Sequence, residues 1–81
     1  MTIKALIFCQ VEHQAMTKVI EEFNKIFEIK KVFSLTGDYD MLAEIEVESS
    51  EDLYDVFSKK IDVIDGIIKT NTHVIMKSWE K

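Results

Sequence analysis

The sequence predicts an α+β domain of βαββαβ order, with two helices covering one face of a four-stranded antiparallel sheet. Three observations carry this. Stretches at residues 3–11, 29–36, about 40–48 and 67–76 alternate or run apolar over strand length. Two intervening stretches repeat apolar residues at helical spacing. Gly37-Asp38 separates the second and third strands by a turn too short for a crossover.

Taken in order, residues 3–11 place Ile3, Ala5, Ile7, Cys9 and Val11 on one face and Leu6 and Phe8 on the other. A strand apolar on both faces needs cover on both. Residues 14–27 follow with a stripe of Met16, Val19, Ile20, Phe23, Ile26 and Phe27, and Glu21 and Lys25 spaced as an i,i+4 pair. The second strand carries Lys30 and Lys31, which suit a sheet edge kept from pairing with other chains.

In the third strand, Met41, Ala43, Ile45 and Val47 share a face, with Leu42, Glu44 and Glu46 on the other. Ser49-Ser50-Glu51-Asp52 supplies a hydroxyl cap and first-turn acids for the second helix. Its buried stripe is Leu53, Val56, Phe57, Ile61 and Ile64. After Asp65-Gly66, the fourth strand sets Ile68, Thr70, Thr72, Val74 and Met76 on one face. The most apolar strands, the first and third, belong in the centre. With the helices on one side, Leu6, Phe8, Phe33 and Leu35 are left to be covered by a second copy of the chain.

The totals narrow the function. At 81 residues and 47% apolar the chain is one domain, near the size where a single core barely suffices. Its net charge of −5 disfavours direct nucleic-acid binding, which needs a basic face. No apolar run is long enough for a membrane span and no signal peptide precedes the first strand, so a cytoplasmic protein is expected. Cys9, the one cysteine, fits a reducing compartment and structural burial. His13 and His73 match no metal-ligand spacing. Glu44 and Glu46 read as a surface row or as partners for lysine across an interface. Trp79 is expected to pack against a neighbour or a helix.

Thr36-Gly37-Asp38-Tyr39-Asp40-Met41-Leu42-Ala43-Glu44-Ile45-Glu46-Val47, with the later run from Ile64 through Asp65-Gly66, Thr70 and Thr72 to Ile75, resembles the RAM (effector-binding) domain of the Lrp/AsnC feast/famine transcription regulators. Asp65-Gly66 stands where the family usually has Pro-Gly. No helix-turn-helix of the family's kind is expected, since Met1 is followed at once by the first strand. The resemblance therefore implies a stand-alone RAM module over 1–81, with regulation acting through a DNA-binding relative or without DNA.

The resemblance further implies a ferredoxin-like fold, a dimeric α/β sandwich or barrel, and a ring of dimers, an octamer when there are four. It places amino-acid effectors at Thr36, Gly37, Asp38, Tyr39 and Asp40, with Thr70 and Thr72 from the last strand. The chemistry suits a zwitterion. Asp38 or Asp40 can accept from an ammonium group, while turn N–H groups and Thr hydroxyls can donate to a carboxylate. With no arginine in the chain, no guanidinium fork competes for that role. The plain alternatives are a solvated hairpin, a subunit-packing Tyr39 and threonines serving as strand formers. No cofactor, metal or catalytic residue is expected. The competing reading is a small dimeric α/β-barrel enzyme with a cavity between sheet and helices.

Overall fold

The computed structural model describes residues 2–81. The elements run β1 (Ile3–Val11), α1 (Met16–Asn24), β2 (Ile29–Ser34), β3 (Met41–Val47), α2 (Ser50–Val56) and β4 (Ile67–Val74), with a π-helical turn (Phe57–Ile61) directly behind α2. All strand pairs are antiparallel and the order is β2-β3-β1-β4, so β1 and β3 are central. Their helix-side residues, Ala5, Ile7, Cys9, Met41, Ala43 and Ile45, are all fully buried. Val19 and Phe23 of α1, with Val56 of α2 and Ile61 of the π-helical turn, close the core from the other side. The lysine-bearing β2 is an edge, as its sequence predicts.

Burial shapes the chemistry of Cys9. Desolvation pushes its thiol from 9.0 up to about 12. The folded state favours the neutral thiol, so its contribution is complete below pH 9 and is lost as pH rises toward 12. Urea midpoints followed across that window should fall more steeply for the wild type than for Cys9→Ala. Parallel pH profiles would contradict this.

Several local details depart from the sequence prediction. Helix α1 is shorter than 14–27 because Gln14 has φ +67°, a left-handed conformation that starts no helix. Its last turn closes at Lys25, and Ile26 N–H donates to Phe23 O, so Phe27 falls outside the helix. Phe27 is 81% exposed, not part of the buried stripe. Lys25 pairs with Glu22 at 2.7 Å rather than with Glu21. The Ser49 cap is present, its Oγ accepting from Asp52 N–H at 3.1 Å. The second helix does not continue regularly: Asp62 N–H donates to Phe57 O, five residues back, and the widened turn still buries Ile61.

In β4, the register shifts between Gln10 and Val11, leaving Ile68 without a place in the ladder. Ile67, not Ile68, packs against the core, and Ile68 is 62% exposed. Gly66, at φ +101°, is needed for a second reason. A Cβ there would come within 3.0 Å of Ala15 Cβ and 3.3 Å of Val19 Cγ2, so the loop's close approach to α1 requires glycine.

Candidate functional site

The face of the sheet away from the helices is built in cross-strand rows, since paired residues share a face. His73, Leu6, Glu44 and Lys31 form one row; Asn71, Phe8, Leu42 and Phe33 form the next. Leu6, Phe8 and Leu42 are only half-buried and Phe33 is exposed. Phe8 is the hub, with its ring 5.6 Å from Tyr39 and edge-on to His73 at 5.6 Å. Charged residues border this apolar centre, including a loose Lys4–Glu46 pair at 3.8 Å.

The β2–β3 connection rises from the end of this face. Leu35 N–H donates to Asp40 O at 2.9 Å, which leaves Thr36, Gly37, Asp38 and Tyr39 as the turn. Gly37 has φ +111°, and a Cβ added there would meet nothing within 4 Å, so backbone conformation rather than crowding selects glycine. The turn is tied to β1 at several points. Gln10 Nε2 donates to Asp38 O at 2.8 Å. Val11 N–H donates to Asp40 Oδ2 at 2.8 Å, and Asp40 N–H donates to Cys9 O at 2.9 Å. Asn71 Nδ2 reaches Tyr39 Oη at 3.4 Å.

This arrangement sorts the residues singled out from the sequence. Thr36, Gly37 and Asp38 lie together at the exposed tip, with Tyr39 and Asp40 half-buried at its base. Thr70 and Thr72 do not join them within one chain. They pair with Cys9 and Ile7, whose side chains face the helices, and so sit on the opposite side of the sheet from Tyr39. The residues of β4 on the turn's side are Lys69, paired with Gln10, then Asn71 and His73. Strand alternation points them away from Thr70 and Thr72, and that signal is present in the sequence. Gln10 and the Val11 N–H carry no comparable signal.

Asp40 has a structural duty that its sequence context does not reveal. Its carboxylate satisfies a part-buried N–H at the end of β1. Asp40→Ala should destabilise the fold by roughly 1–3 kcal/mol, the usual effect of orphaning a buried donor. Asp40→Asn, which keeps an acceptor oxygen, should lose less. Urea unfolding of the two variants checks this; equal stabilities would contradict it.

Between sheet and helices the space is filled by Phe23, Met41, Ile45 and Ile61, each fully buried. The α/β-barrel enzyme reading, which needs a cavity there, is left without support. Among the described residues no cluster of three or more His, Cys, Asp or Glu side chains is placed to hold a metal ion. Among the described residues no helix is long and apolar enough to cross a membrane.

Comparison with known proteins agrees with this architecture. The family profile described as Lrp/AsnC ligand binding domain matches residues 4–81. The HTH-type transcriptional regulator FL11 of Pyrococcus furiosus is 33% identical over 75 residues, covering 93% of this chain and 49% of FL11. The chain spans about half the length of the curated relatives it matches. Among solved structures, E. coli AsnC superposes with a TM-score of 0.90 at 19% identity, over 94% of this chain and 52% of AsnC. A Neisseria meningitidis transcriptional regulator in complex with L-Met superposes with a TM-score of 0.89 at 16% identity, over 98% of this chain and 53% of that one. At those identities the likeness bears on fold alone, and the fold is the ferredoxin-like one. The sequence match over nearly every residue goes further: this chain belongs to the Lrp/AsnC family, as its ligand-binding domain.

Proposed function

We propose that this domain binds an amino acid or a related small zwitterion at the Thr36–Asp40 turn and couples its occupancy to assembly. The carrying observation is the exposed glycine turn anchored to β1 beside an apolar sheet face with no cover of its own. Two copies pair through those faces, and dimers associate further into a ring, an octamer in its four-dimer form. The ligand lies where the turn meets a neighbouring chain. Asp38 accepts from its ammonium group, while turn N–H groups receive its carboxylate. Thr70 and Thr72, being on the other sheet face, contribute from an adjacent dimer. The L-Met complex of the Neisseria regulator supports the choice of ligand class, and the HTH-type relatives support a role in transcription regulation, exerted through a DNA-binding protein of the same family.

A thermal-shift series over the amino acids, repeated with Asp38→Asn, tests the site without disturbing the structural Asp40. Ligand at ten times its Kd stabilises by about 1.4 kcal/mol, or roughly 6–11 °C in a domain of this size. At least one amino acid should produce such a shift, and Asp38→Asn should abolish it. Indifference of the wild type to every amino acid would overturn the reading.

A further inference from the structure

A surface groove of about 470 Å³ lies at the other end of the sheet from the glycine turn, between α2 and the ends of β2 and β3. Its floor is Val47 and Val56, both nearly fully buried, and its wall is the exposed ring of Phe27. Lys30 Nζ covers one side of that ring, 4.2 Å from its centroid. Its lining sets Glu28, Glu46, Glu48, Asp52 and Asp55 against Lys30, Lys59 and Lys60, which leaves the groove net acidic although Asp55 is paired with Lys59 at 3.8 Å.

A matching segment is the chain's own C-terminal tail. Beyond Ile75, whose N–H donates to Lys4 O at 2.8 Å, the chain leaves the sheet with Met76 97% and Trp79 79% exposed. Trp79 touches Lys77 at 5.2 Å from its ring centroid. Large apolar side chains standing out in this way mark a segment that docks elsewhere. Its side chains, Lys77 and Lys81 against Glu80, are net basic and so opposite in sign to the groove.

We propose that the tail of one copy docks in the groove of a second, with Trp79 against Phe27. This rests on the face-to-face sheet pairing proposed above. Thr2 lines the groove and Lys4 holds the tail root, so both features lie at one end of the sheet. Within one chain, β4 and β2 are opposite edges, three strand spacings or about 14 Å apart. A two-fold axis parallel to the strands lays each β4 over the partner's β2 and keeps the ends in register. Each tail root then stands over the partner's groove, and the contact forms twice.

Trp79 is the only tryptophan, so fluorescence reads the contact directly. Emission and acrylamide quenching are followed against protein concentration, with mass measured by sedimentation, for the wild type, Phe27→Ala and the sheet-face variant Phe8→Asp. Phe27 lies outside the core, so its loss leaves the fold intact. The wild-type dimer should show blue-shifted emission and severalfold weaker quenching than Phe27→Ala, which stays paired. Solvent-like emission from a paired wild type would overturn the docking and leave the sheet pairing standing. A shielded Trp79 in monomeric Phe8→Asp would place the tail in its own groove and overturn the exchange. Shielding unchanged in Phe27→Ala would overturn the groove as its site. A wild type monomeric at every concentration would overturn both docking and pairing.

Discussion

Phe8→Asp should convert the protein to a folded monomer. Phe8 sits at the middle of the uncovered face, touching Tyr39 and His73. A carboxylate there, facing its symmetry mate in a paired face, must be desolvated without a partner. Even about 3 kcal/mol of such a penalty weakens association more than a hundredfold. In the single chain Phe8 is only half-buried, so the fold itself should lose about 1 kcal/mol of cross-strand and ring contact. Far-ultraviolet circular dichroism should match the wild type while sedimentation reports one chain. Retention of the wild-type mass would contradict the assignment of this face. By the same logic, ligand response should disappear in Phe8→Asp, because a shared site needs its neighbour.

The second large effect is on stability. Phe23 of α1 is fully buried between sheet and helices. Removing a phenyl ring from such a position costs about 3–5 kcal/mol, through lost transfer free energy and the cavity left behind. A domain of this length has only about 4–12 kcal/mol in total. Phe23→Ala should therefore be largely unfolded at low concentration, and Phe23→Leu should remain folded with a reduced urea midpoint. The proposed pairing stabilises the folded chain by mass action, so raising the concentration should recover part of the Phe23→Ala population. A Phe23→Ala variant as stable as the wild type would mean that α1 does not close the core.

The path of the chain was legible because period-two and helical patterns report faces directly. Ala5, Ile7 and Cys9 alternate cleanly, and all three are buried. Lys30 and Lys31 marked the edge strand, and Ser49 marked the start of α2. What escaped the pattern was produced by single-residue irregularities. The bulge at Ile68 shifts the face on which every residue before it lies, and alternation cannot anticipate where that happens. The π-helical turn after α2 keeps its apolar residues at spacings an ordinary helix also uses, so nothing in the spacing betrays it. Phe27 looked like one more member of the α1 stripe because helical periodicity does not say where a helix ends.

The candidate site divides in the same way. Gly37-Asp38 announced a turn, and the structure has one. The bond from Val11 N–H to Asp40 joins residues far apart in sequence, which no local pattern encodes. It gives Asp40, one of two acids the sequence offers for an ammonium group, a duty as a brace for the turn, and leaves Asp38 the acid without such a duty. The opposite placements of Thr70 and Asn71 follow from alternation alone. They matter because they require the threonines, if they meet ligand, to do so from another dimer.

The proposed assembly and sensing both depend on the sheet face centred on Phe8 being covered by a second copy. Sedimentation equilibrium of the wild type over a wide concentration range measures this most directly. The predicted result is twice the chain mass or a multiple of it, rising toward the ring when the effective amino acid is added. A single-chain mass at every concentration, with and without amino acids, would contradict it.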